Sequence, residues 1–116
     1  MEVAIEHAEV VLKAKLPVRE KLIEISEILT VKAWEKVVGH PMTAEFYARC
    51  QRQFPTESEK FERHRARIFQ QIFDGDKEKA ETFVLATDGF YADLPSVKVL
   101  RKRIAILSDQ FSGGRT

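Results

Sequence analysis

The stretch Val18–His40 reads VREKLIEISEILTVKAWEKVVGH. On a helical period it places Val18, Leu22, Ile25, Leu29 and Ala33 along one line, with Ile23, Trp34 and Val38 on a flank. Glu20, Glu24, Glu27 and Glu35 fall together on the remaining side. An apolar arc this wide, carrying the one Trp of the chain, needs neighbours on two or more sides. The stretch therefore predicts a central core helix at about residues 18–38. Gly39 suits the left-handed residue that ends a helix, and Pro41 stops continuation.

Upstream, residues 2–16 read as a first helix. Glu2, Glu6, Glu9 and Lys13 share a face, and Glu9 with Lys13 forms an i,i+4 pair in the favourable order. Pro17 ends it. Downstream, Thr43 is a suitable N-cap for a helix over 43–54, TAEFYARCQRQF, with Phe46, Tyr47, Cys50 and Phe54 on one face. Pro55 closes that segment. Thr56 with Glu59 three residues later reads as a capping box for a fourth helix over 57–73. Its apolar face holds Phe61, Ile68, Phe69, Ile72 and Phe73, and Arg65 falls inside that face as a local conflict.

The run Asp74–Gly75–Asp76 reads as a turn, with Asp76 capping a fifth helix, KEKAETFVLATD. Residues 89–95 form a loop carrying Phe90, Tyr91 and Leu94. The last helix, over 96–111, has the most regular pattern: Val97, Leu100, Ile104, Leu107 and Phe111 alternate in steps of three and four. Residues 111–116 read as a frayed tail. The expected architecture is all-α: one domain over 1–116, a compact bundle of five or six short helices around the helix at about 18–38.

Composition narrows the function. With 116 residues, 44% hydrophobic and 32% charged, the chain is long enough for a core without staples. Nineteen basic residues against 18 acidic give a net charge of +1, so nucleic-acid binding would need a local patch. One cysteine allows no intramolecular disulfide and no zinc cluster. Cys50 on a face of aromatics reads as a small core hydrophobe. His7, His40 and His64 lack metal-ligand spacing, and no phosphate-binding loop or nucleophile motif is present. No enzyme activity, cofactor, metal or small-molecule substrate is expected. No apolar run reaches membrane-spanning length, and acids occupy the N-terminus where a signal peptide needs basic residues. A soluble, cytoplasmic protein is expected.

Binding is the expected work, with two readings. In the first the chain is a small helical protein-interaction module, an adaptor, subunit or regulatory binding protein, whose partner is another protein or a second copy. Its candidate contacts are Phe90, Tyr91, Val99 and Ile106; the last two lie about half a turn from the apolar seam of the last helix. In the alternative reading Lys98, Arg101, Lys102 and Arg103 contact nucleic-acid phosphates. Between Leu94 and Thr116 five basic residues face one acid, which motivates it. The sequence FERHRARIF supplies a second basic region, Arg63, Arg65 and Arg67 with His64.

Overall fold

The computed structural model describes residues 2–38, 45, 55–93 and 95–112. Its elements are α1 (Glu2–Lys13), α2 (Val18–Ser26), a π turn (Glu27–Val31), α3 (Lys32–Val38), α4 (Pro55–Ile72), α5 (Lys77–Gly89) and α6 (Val97–Phe111). The protein is an all-α bundle. The helix expected over 43–54, with Cys50, lies outside the described residues apart from Glu45, as do Gly39, His40, Pro41, Leu94 and residues 113–116.

α2, the π turn and α3 run on as one helical rod at the centre. α1 and α4 pack against α2, and α6 packs along α2, the π turn and α3. Two apolar clusters result. In the first, Leu22, Ile25 and Leu29 meet Ala8 from α1, Ile68, Phe69 and Ile72 from α4, and Phe83 from α5. In the second, Val31 and Trp34 meet Leu100 and Ile104 from α6. The rings of Phe69 and Phe83 stand 5.1 Å apart, and Phe111 closes on Phe83 at 5.3 Å, so aromatic contacts join α4, α5 and α6. Phe83 is fully buried, and a burial of that size stabilises the fold by roughly 2–3 kcal/mol.

The π turn corrects the straight-helix reading of the central stretch. The Lys32 amide donates to the Glu27 carbonyl, five residues back, so one turn holds more residues than an α turn. The buried line Leu22–Ile25–Leu29 therefore does not continue to Ala33, which is exposed. It rotates, and Val31 and Trp34 are buried in its place at 1% and 2% exposure. Val18, expected on the same line, is one of the exposed large apolar residues. The rod thus presents one stripe to the first cluster and a rotated stripe to the second.

Helix ends follow their residues closely. α4 begins at Pro55, a residue whose fixed φ suits the first helical position, so Thr56 lies within the first turn. α4 ends in a Schellman arrangement: the Gly75 amide donates to the Gln70 carbonyl at 2.8 Å and the Asp74 amide to Gln71 at 3.2 Å. Asp74 takes a φ of 55° and Gly75 one of 91°, which a glycine adopts without strain. Asp76 caps α5, its carboxylate accepting from the Lys79 amide at 3.0 Å. Ser96 caps α6 through the Val99 amide at 3.2 Å. α5 runs on to Gly89 and α6 begins at Val97, so the connection covers 90–96, the length expected for the loop over 89–95 but one residue later. Phe111, expected to begin a frayed tail, is helical and packed on Phe83. Glu9 lies 3.7 Å from Arg67 of α4 rather than pairing with Lys13.

Arg65 resolves the conflict in α4. It is 4% exposed, and its guanidinium is held by both Asp88 oxygens at 3.0 and 3.1 Å and by Glu62. Burial alone would lower its pKa; the Asp88 and Glu62 carboxylates outweigh that and hold it above the ordinary value. The residue that broke the apolar pattern ties α4 to the end of α5.

Candidate functional site

The four basic candidates of α6 do not act as one stripe. Arg101 turns toward the central rod, where Nε and Nη2 donate to the two Glu27 oxygens at 3.0 and 2.8 Å, with Glu35 at 3.9 Å. Glu27 lies on the π turn and Glu35 on α3, so the acid face of the rod receives this cation. Arg103 turns the other way and grips Asp93 with two bonds, at 2.9 and 2.7 Å, while also donating to the Phe90 carbonyl at 2.8 Å. Each arginine is stabilised in its charged form by hydrogen bonding to its carboxylate. Arg19 of α2 pairs with Asp109 near the far end of α6. Lys98 and Lys102 are exposed and form no ion pair among the described residues.

The four apolar candidates divide in the same manner. Phe90 and Tyr91 are half-buried and pack on the second cluster, Tyr91 at 4.8 Å from the Trp34 ring. The carbonyl of buried Pro95 accepts from Trp34 Nε1 at 2.8 Å, so the turn 90–93 and the start of α6 are fixed to α3. Val99 and Ile106 remain on the outer face, 39% and 58% exposed. Seven residues apart, they lie within about 20° of each other around the helix, with Lys102 between them in sequence. The surface that remains on α6 is therefore an apolar line with lysines along one side.

Sequence reasoning missed the outer face of α1. Val3 and Val10, again seven residues apart, are 62% and 69% exposed. The charges of Glu2, Glu6, Glu9 and Lys13 mark one face of this helix, but spacing alone does not say which part of the remainder α2 and α4 cover. On α4, enclosure of Arg65 leaves Lys60, Arg63 and Arg67 exposed along one side; Arg67 is near Glu9 and 3.2 Å from His64 Nδ1. Among the described residues no group of three His, Cys, Asp or Glu side chains is placed to hold a metal ion, and no helix is long and apolar enough to cross a membrane.

No family model, no curated protein and no solved structure matches this chain.

The turn beside the site carries a pH dependence. The hydrogen bond from Arg103 holds the Asp93 carboxyl below its ordinary range. A depressed folded-state pKa contributes stability that is present above the ordinary carboxylate pKa and is lost as pH falls through the lowered one. Asp93→Asn is therefore expected to flatten the acid end of a plot of melting temperature against pH. An unchanged acid slope would show that the pair contributes nothing there.

Proposed function

We propose that this chain is a small, non-enzymatic protein-interaction module, an adaptor, subunit or regulatory binding protein, and that the outer face of α6 is its contact surface. The observation that carries the reading is the pair Val99 and Ile106, exposed on one line of a helix whose inner side buries Leu100 and Ile104 and which ion pairs tie down at three levels. Arg19–Asp109, Glu27–Arg101 and Asp93–Arg103 fix α6 in the bundle, so the outer line is presented on a rigid support. A rigid surface loses little entropy on docking. A cytoplasmic setting fits a chain with one cysteine.

The nucleic-acid reading keeps Lys98 and Lys102, and loses weight because Arg101 and Arg103 already hold carboxylates. Two pairs of substitutions separate the readings. Val99→Asp with Ile106→Asp is expected to abolish partner retention on the immobilised protein, with the melting temperature within a few degrees of wild type, since both side chains are on the surface. Lys98→Glu with Lys102→Glu is expected to weaken that retention only in part. Binding to mixed-sequence DNA or RNA that falls steeply with salt and vanishes in the lysine variant would overturn the proposal.

A further inference from the structure

We infer that the occupant of the α6 face is α1 of a second copy of this chain, running antiparallel to α6, so that copies associate head to tail. The inference rests on the α6 contact surface proposed above and names its partner.

The two helices carry the same pattern with opposite charge. On α6, Lys102 stands three residues after Val99 and four before Ile106. On α1, Glu6 stands three residues after Val3 and four before Val10. All six side chains are exposed, and neither Glu6 nor Lys102 forms an ion pair among the described residues. When two helices meet face to face in opposite directions, equal offsets fall on the same side of the seam. Val3 then opposes Ile106, Val10 opposes Val99, and Glu6 comes beside Lys102, displaced along the axis by about 1.5 Å.

Symmetric pairings lack this match. Antiparallel α6 against its own copy places Lys102 beside the other Lys102, and antiparallel α1 against its own copy does the same with Glu6. Like charges at the centre of a small seam disfavour both. In the mixed pairing like charges approach only at the two ends of the seam, where Lys98 comes near Lys13 and the register sets Asp109, which Arg19 already holds, near the acidic position 2. Because each copy offers two different faces, the contact is heterologous, and association closes into a ring or continues as a chain of copies. The seam is short, so it is weak and depends on concentration.

The test is the mass of the full chain by analytical ultracentrifugation over a concentration series. Wild type is expected to gain mass with concentration and to lose it at high salt. Val10→Asp alone and Ile106→Asp alone are each expected to remain monomeric, because each population lacks one of the two faces. Mixed in equal amounts, they are expected to form a dimer and nothing larger, since one variant supplies α1 and the other α6. Wild type that stays monomeric throughout would overturn this inference while leaving the α6 surface open to a foreign partner, as retention on the immobilised protein would show. Association that survives Val10→Asp but not Ile106→Asp would overturn α1 as the occupant and keep the surface. Should an aspartate variant fail to fold, Glu6→Lys and Lys102→Glu serve in its place: each alone is expected to weaken association, and their equal mixture or double variant to restore it.

Discussion

Asp88→Ala is expected to destabilise the protein by about 2 kcal/mol, and Arg65→Met by less. The asymmetry comes from where each group lies. Arg65 is enclosed, with its side chain 5% exposed, whereas Asp88 is 41% exposed. Removing the carboxylate strands a guanidinium that cannot reach water and keeps only Glu62. Breaking a fully enclosed pair in this way costs about 3–5 kcal/mol, and the exposure of Asp88 lowers the figure. Removing the cation leaves a carboxylate at the surface, which water can take up, and the methionine fills much of the vacated volume. Arg65 also leaves its Nε buried without a hydrogen bond, so the native arrangement is not ideal to begin with. Urea unfolding of the two variants decides the matter: equal losses, or a larger loss for Arg65→Met, would show that the side chain matters by packing and not by charge.

Trp34→Ala is expected to have the largest effect in the molecule, about 3–5 kcal/mol. Trp34 is 2% exposed at the heart of the second cluster. Its loss opens a cavity, strips Tyr91 of a ring contact, and leaves the Pro95 carbonyl without its donor. Trp34→Phe separates these contributions. It keeps most of the ring but not the indole N–H, and an acceptor left buried and unpaired costs about 1–3 kcal/mol. Thermal melts followed by circular dichroism would measure both. A Trp34→Phe variant as stable as wild type would mean that the bond to Pro95 contributes nothing to holding α6 on α3.

Helix positions were legible because the chain punctuates itself. Pro17, Asp76 and Ser96 mark ends by simple local chemistry, and the alternation of Leu100, Ile104 and Leu107 states which side of α6 faces inward. Three features were not legible, each for a physical reason. The π turn leaves no residue signature, because a one-residue gain inside a helix changes the phase of a pattern and not its composition. The burial of Arg65 depends on Asp88, 23 residues away, and no local rule couples them. The division of the α6 cations into paired and unpaired sets depends on Glu27 and Asp93, which reach α6 only through the fold. Charge counting saw four equivalent cations, whereas the structure leaves two.

The π turn also carries a consequence for how this chain tolerates change in length. Elsewhere in the central rod, loss of one residue would swing everything beyond it by about a quarter turn and bring the wrong side chains inward. Within residues 27–31 the same loss would tighten a wide turn into an ordinary one and leave Trp34 near the direction it faces now. The rod thus contains a place where the chain can be shortened by one residue without scrambling α3, and a gene that lost one codon there would still encode both halves of the interior.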